Sequence, residues 1–260
     1  MALQRRVLIT GASSGIGRGL ANWFARDGHH LYLGGLEEEA QMKSFIAGLK
    51  EKGATEIFFD STDLNDGLRV RSMVDTAFVK MGGIDILINN AGIQHVSPIE
   101  SFPIEMWQAI MRINLDSSFH TMAAAIPYME KANFGRIINI ASVHGMVAST
   151  NKSAYVAAKH GLVGLTKVAA LELAGGPITC NAICPGWVKT PIVEKQIRQR
   201  AEQKGTSENV EEKMLLKEKT PSGRFVSVNE IAGMASFLCG DAASNITGST
   251  FVIDGGWTAQ

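Results

Sequence analysis

The stretch Thr10-Gly11-Ala12-Ser13-Ser14-Gly15-Ile16-Gly17 decides the reading of the fold. It follows a short apolar run, Arg6–Thr10, and opens an amphipathic segment near residues 15–27. A glycine-rich loop held between a strand and a helix has a specific physical use. Its glycines permit a tight turn and let the backbone approach a phosphate. The helix N-terminus adds free N–H groups and the positive end of the helix dipole. Gly11, Ser13, Ser14, Gly15, Ile16 and Gly17 are therefore read as one side of a dinucleotide site.

The same rhythm continues outward. Further strand candidates are His30–Leu33, Glu56–Phe59, Ile84–Ile88, Arg136–Ile140, Thr179–Ile183 and Thr250–Ile253. Most are continuously apolar, as parallel strands covered on both faces are. Amphipathic segments near 37–52, 65–81, 103–130, 154–174 and 227–239 lie between them. Such β-α repetition predicts an α/β fold with a doubly wound sheet and right-handed crossovers. No internal repeat or Pro/Ser linker divides the chain, so residues 1–260 are read as a single domain. Residues 191–220 break the rhythm, being densely charged with both signs, and Gly205-Thr206-Ser207 splits them into two predicted helices. This segment directly follows a strand end, so it is read as a helical lid beside the carboxyl edge of the sheet.

Composition narrows the partners. Basic and acidic residues number 25 each, for a net charge of zero. That balance argues against broad nucleic-acid or acidic-membrane binding, which need a basic surface. No apolar run approaches the roughly 18 residues of a membrane span. The opening MALQRRVLIT sets two arginines before an apolar run, but that run stops after about four residues, short of a signal-peptide core. Cys180, Cys184 and Cys239 are an odd, sparse set without zinc spacing. They suit buried thiols in a reducing cytoplasm, and no metal site is assigned.

Beyond the second strand stand Gly35 and Leu36, where an acid would bind a ribose 2′-OH and an arginine would meet a 2′-phosphate. Neither is present there. Glu37 is next along and could reach the ribose or begin the following helix. Without a cation for an extra phosphate, NAD is expected rather than NADP. Arg18 is the nearest loop cation and is expected on the helix surface. Asp63 and Leu64 follow the third strand and are placed at the adenine edge; Asp63 is alternatively a cap for the next helix.

Tyr155 and Lys159 are spaced i, i+4, which puts them on one helix face about 6 Å apart along the axis. A phenol with an ordinary pKa of roughly 10 is a poor base at neutral pH. A neighbouring ammonium favours the phenolate, so the pair is read as a proton acceptor and donor. Ser142 follows the strand Arg136–Ile140, Asn89-Asn90-Ala91-Gly92 ends the fourth strand, and Asn114 lies in the long helix after it. The carboxyl ends of strands in such a sheet converge on one edge, where ligands bind.

TGASSGIG, NNAG, Asn114, Ser142, YVAAK and PGWVKT, in this order, resemble the short-chain dehydrogenase/reductase family from Val7 to the terminal DGGW. The resemblance implies a Rossmann-like, seven-stranded parallel sheet. It also implies a homotetramer, usually formed through helices 103–130 and 154–174. It implies a catalytic set of Asn114, Ser142, Tyr155 and Lys159. Tyr155 would exchange a proton with the substrate oxygen, and Ser142 would hydrogen-bond that oxygen. Lys159 would lower the Tyr155 pKa and grip the ribose, while Asn114 would support a water leading from Lys159 to solvent. Asn90, Ala91 and Gly92, with Pro185, Gly186, Val188 and Thr190, match the stretches that hold the cofactor.

Between these motifs, Asn89–His95, Phe134–His144, Asn151–Gly161 and Asn181–Ile197 are similar to the bacterial D-3-hydroxybutyrate dehydrogenases. This implies substrate contacts from Gln94, His144, Lys152 and Gln196. The residue types agree, because an ammonium, two amides and an imidazole make a receptor for one carboxylate. Trp187 and Trp257 would wall in a small methyl group. Each residue also has a plainer reading: Lys152 and Gln196 as solvated side chains, His144 as a loop histidine, Trp257 as subunit packing. The expectation is reversible, NAD-dependent oxidation of D-3-hydroxybutyrate to acetoacetate. Its rivals are a 3-oxoacyl carrier-protein reductase, a sugar or polyol dehydrogenase, and a non-catalytic NAD-binding scaffold.

Overall fold

The computed structural model describes residues 4–260. The first three residues of the expected domain and of the opening MALQRRVLIT lie outside them. The strands are β1 (Arg6–Ile9), β2 (His30–Gly34), β3 (Ile57–Asp60), β4 (Ile86–Asn89), β5 (Gly135–Ile140), β6 (Ile178–Pro185) and β7 (Thr250–Ile253). They form one parallel sheet in the order β3-β2-β1-β4-β5-β6-β7. The seven-stranded doubly wound sheet is thus as the sequence predicts, with strand ends shifted by one or two residues. Every residue of β4, β5 and β6 is buried, which explains their unbroken apolar reading.

Helices α1 (Gly15–Arg26), α2 (Glu39–Glu51) and α9 (Val228–Cys239) cover one face; α3 (Gly67–Met81), α5 (Ser117–Lys131) and α6 (Ser153–Glu172) cover the other. Strand alternation divides the core between them. Val7, Ile9 and Leu31 pack with Leu20, Phe24, Phe45 and Leu238. Leu8, Tyr32 and Leu87 pack with Met73, Val74, Met122 and Leu173. The chain runs outward from β1 to β2 and β3, then returns to lay β4 on the other side of β1. That reversal opens a crevice above the β1 and β4 carboxyl ends, where ligands of such sheets bind.

The single helix expected over 103–130 is interrupted. It is α4 (Ile104–Met111), a π-helical turn (Arg112–Asp116), then α5. The turn is centred on Asn114, which is fully buried. Asn114 Oδ1 accepts from Ile93 N at 2.8 Å, and Asn114 Nδ2 donates to Ile93 O at 2.9 Å. Local π turns of this kind cluster at functional sites, and here the turn ties the helix to the β4 exit loop.

The charged segment folds as two helices, α7 (Pro191–Lys204) and α8 (Glu208–Lys219). Gly205 ends α7 in the left-handed region at φ +64°, and the Ser207 hydroxyl caps α8. Val193, Ile197 and Leu215 pack with Val143, Trp187 and Trp257. The pair therefore sits beside the carboxyl edge of the sheet, where the sequence reading puts it.

Candidate active site

The glycine-rich loop meets the demands of close backbone approach. Gly11 has φ +64°, and a Cβ on Gly17 would lie 2.2 Å from Gly11 O. Ser14 starts α1 without a side-chain cap, and no acid lies in its first turn. The first N–H groups thus remain available to an anion. They border a cleft of about 290 Å³ lined by Gly11, Ser13, Ser14, Gly15 and Ile16. Gly35, Leu36, Glu37, Asp63 and Leu64 line it further out, and Asn90, Ala91, Gly92, Tyr155, Lys159 and Thr190 line its inner part. Asn90 stitches the floor: its Nδ2 donates to Thr10 O and Gly11 O, both at 3.0 Å. Among the described residues, the charged side chains lining the cleft are Glu37, Asp63 and Lys159. Open helix N–H groups, a tight glycine turn and the adjoining cleft fit a dinucleotide.

At the inner end, α6 delivers Tyr155 and Lys159 toward the β4 and β5 ends. Lys159 is buried, and its Nζ donates to Ile140 O at 2.8 Å. A Cβ on Gly92 would lie 3.5 Å from Asn114 Oδ1 and 3.8 Å from Lys159 Nζ, so these groups converge there. Burial drives Lys159 down to about 8. Tyr155 is half-buried and borders both pockets, and desolvation by the surrounding protein pushes the phenol up to about 12. A hydrogen bond with Ser142 works in the opposite direction. The expectation that Lys159 lowers the Tyr155 pKa is therefore corrected for the protein alone. Lys159 Nζ lies 5.7 Å from the Tyr155 ring centroid, and desolvation dominates.

A second, smaller pocket of about 100 Å³ adjoins Tyr155. Gln94, Ser142, His144, Lys152, Trp187 and Trp257 line it, as do Pro185, Gly186 and Val188. Lys152 is only 7% exposed. Its ammonium lies 4.6 Å from the Trp187 ring centroid and donates to Gln196 Oε1 at 3.2 Å. Gln196 Nε2 donates to Gln94 Oε1 at 2.9 Å. Gln94 Nε2 is buried without a partner, an arrangement that costs roughly 1–3 kcal/mol unless an acceptor arrives. His144 is held on both sides, with Nε2 3.0 Å from Ser149 Oγ and Nδ1 3.4 Å from Ser142 Oγ. Burial, with Lys152 next in effect, pushes its pKa down to about 3, so it is neutral at physiological pH. Trp257 packs against His144 and Trp187, at centroid distances of 5.4 and 5.5 Å. A larger cleft of about 580 Å³ lies beyond Lys152 and Gln196 under α7 and α8.

Residues 11–258 match a family model described as enoyl-(acyl carrier protein) reductase. The chain is 46% identical over 256 residues to the D-beta-hydroxybutyrate dehydrogenase of Cupriavidus necator, covering 98% of each protein. It is 44% identical to the D-beta-hydroxybutyrate dehydrogenase of Rhizobium meliloti, covering 99% of this chain and 100% of that one. The chain belongs to the short-chain dehydrogenase/reductase family. A solved structure of actinorhodin polyketide ketoreductase with NADPH superposes with a TM-score of 0.93 at 30% identity, over 100% of both chains. This short-chain dehydrogenase is thus an oxidoreductase acting on CH–OH groups with a nicotinamide cofactor.

The dehydrogenase gathers most of the residues singled out from its sequence, with four differences. Gly17 packs behind the loop against Gly11 O instead of lining the cleft. Pro185, Gly186 and Val188 line the smaller pocket. Gln196 reaches that pocket through Lys152 and Gln94 and itself borders the outer cleft. Asp63 does not cap α3; it accepts from Asn65 N at 3.0 Å in a turn, and Asp66 is the cap. Glu37 lies before α2, lines the cleft and accepts from Leu36 N at 3.2 Å. Arg18 stays on the α1 surface, 4.1 Å over the Phe45 ring. Sequence reasoning missed Ser149, which holds His144, and Ile93, Thr62 and Ile192, which line the cleft. Ser149, Ile93 and Thr62 are placed by loops, and Ile192 by the first turn of α7.

Proposed function

We propose that this dehydrogenase interconverts D-3-hydroxybutyrate and acetoacetate with NAD. The observation that carries the reading is the small pocket, where buried Lys152 and the unpartnered Gln94 Nε2 stand beside Tyr155. That is a receptor for one carboxylate, set a few bonds away from a proton acceptor. Lys152, Gln94 and Gln196 hold the carboxylate. Trp187 and Trp257 enclose the methyl end. Ser142 hydrogen-bonds the C3 oxygen, and Tyr155 takes its proton as the C3 hydrogen leaves as hydride. Asn114 fixes the backbone at Ile93 and faces the same space as Lys159, which suits a proton path to solvent.

The cofactor would be held by the glycine-rich loop, Gly35–Glu37, Asp63, Leu64, Asn90–Gly92, Lys159 and Thr190, and it supplies the hydride acceptor. NAD is favoured over NADP because, among the described residues, the charged side chains lining the outer cleft are the acids Glu37 and Asp63. A 2′-phosphate there would meet charge of its own sign.

The working unit in this proposal is a single domain whose α7 and α8 act as a lid, assembled as a homotetramer in the cytoplasm. Exposed apolar Phe119 on α5 and Val168 and Leu171 on α6 suit helix-to-helix assembly. Among the described residues no helix is long and apolar enough to cross a membrane.

Initial rates of NAD and NADP reduction with each enantiomer of 3-hydroxybutyrate test the proposal. Turnover of the D enantiomer with NAD is expected. Turnover confined to an acetoacetyl thioester with NADPH would favour a carrier-protein reductase instead.

A further inference from the structure

A buried carboxylate that takes no part in the chemistry joins the two lid helices. Glu211, in the first turn of α8, is 2% exposed. It accepts from Arg200 Nε at 3.1 Å, Lys204 Nζ at 3.0 Å and Thr206 Oγ1 at 3.0 Å. Arg200 turns its other two nitrogens to Glu218 near the end of α8, at 3.2 and 2.6 Å. One anion thus cross-links the last two turns of α7, the connecting turn and the start of α8. The apolar attachment of α7 is slight, since only Val193, Ile197 and Ala201 of its 14 residues are buried. The place of α7 therefore depends on these ion pairs more than a core helix would.

Gln196 stands one turn before Arg200 on the same face of α7. It crosses to Lys152 and Gln94, the residues read above as the carboxylate receptor. We propose that Glu211 is a positioning residue: by clamping Arg200 and Lys204 it holds α7 where the Gln196 amide completes the carboxylate receptor. The inference rests on the reading of that pocket given under Proposed function. Glu211 itself touches neither substrate nor cofactor, so its removal is felt through Gln196.

A double-mutant cycle tests this. Glu211→Gln keeps the size of the side chain and removes its charge. It is expected to raise KM for 3-hydroxybutyrate by about tenfold, the worth of one well-made hydrogen bond, with kcat and cofactor affinity little changed. In a Gln196→Ala background the same substitution is expected to leave KM unaltered. Lys204→Met, at an exposed position where substitution costs folding less than at buried Glu211, runs the same cycle should Glu211→Gln not fold. A KM effect that persists undiminished in the Gln196→Ala background would overturn the positioning role. So would an unchanged KM in Glu211→Gln alone. If Gln196→Ala by itself leaves KM unchanged, the reading of the pocket falls, and the inference with it.

Discussion

Lys152→Met removes one ammonium while keeping most of the length and apolar bulk of the side chain. Lys152 is 7% exposed, and its protein hydrogen-bond partner is Gln196 Oε1 at 3.2 Å. The ammonium has three protons to donate, so two remain for a ligand. A hydrogen bond to a charged group contributes about 1.5–3 kcal/mol, and in this enclosed site solvent screening takes little of it. Removing one such bond corresponds to a roughly 12- to 140-fold loss of affinity. KM for D-3-hydroxybutyrate should rise by that factor. The change in kcat should be smaller, because the carboxylate is bound alike in ground and transition states.

The same residue gives a pH signature. Burial, with Arg200 next in effect, pushes the Lys152 pKa down to about 8. A lysine is charged below its pKa, so carboxylate binding is full at lower pH and is lost as pH rises through about 8. The parent enzyme should therefore show kcat/KM falling on the alkaline side, and Lys152→Met should flatten that fall. Initial rates followed by absorbance of the reduced nicotinamide across pH measure both effects. A variant KM within about twofold of the parent, with the alkaline limb unchanged, would refute the assignment of Lys152 to the carboxylate.

Other substitutions probe the remaining parts. Tyr155→Phe should reduce turnover by at least about 10²–10⁴-fold, the usual contribution of a positioned acid–base group, while cofactor affinity measured by fluorescence stays nearly constant. Gly17→Ala places a Cβ 2.2 Å from Gly11 O, so the loop must shift; a loss of roughly 1–3 kcal/mol of stability and weaker cofactor binding are expected, read by thermal melting and titration. Glu37→Gln removes a carboxylate from the outer cleft and should raise the NADP-to-NAD ratio of kcat/KM by roughly tenfold, for about 1.4 kcal/mol of relieved repulsion.

Much of the fold could be read in the sequence because its signals are local. The glycine loop needs only its flanking strand and helix, and the buried strands β4, β5 and β6 announce themselves as apolar runs. Gly205-Thr206-Ser207 marked the break between α7 and α8 through ordinary cap chemistry. What escaped depends on contacts between distant segments. Lys152 alone has the profile of a surface lysine; its burial follows from Gln196, 44 residues away, and from the Trp187 ring. The Gln94–Gln196 contact spans 102 residues. The π turn at Asn114 arises from a bond to the Ile93 backbone that no helical periodicity encodes. The sign of the Tyr155 shift was misjudged for a related reason: spacing brings Lys159 near, but the degree of enclosure decides, and enclosure is tertiary.

In the proposed reaction a small carboxylate-bearing alcohol is selected by Lys152, its partner Gln196 and the adjoining Gln94, and is oxidised at Tyr155. The most direct measurement compares kcat/KM, with NAD as oxidant, for D-3-hydroxybutyrate and for its methyl ester, which keeps the alcohol and abolishes the charge. The acid is expected to be preferred by roughly 12- to 140-fold, the worth of one charged hydrogen bond. An ester oxidised as efficiently as the acid would contradict it.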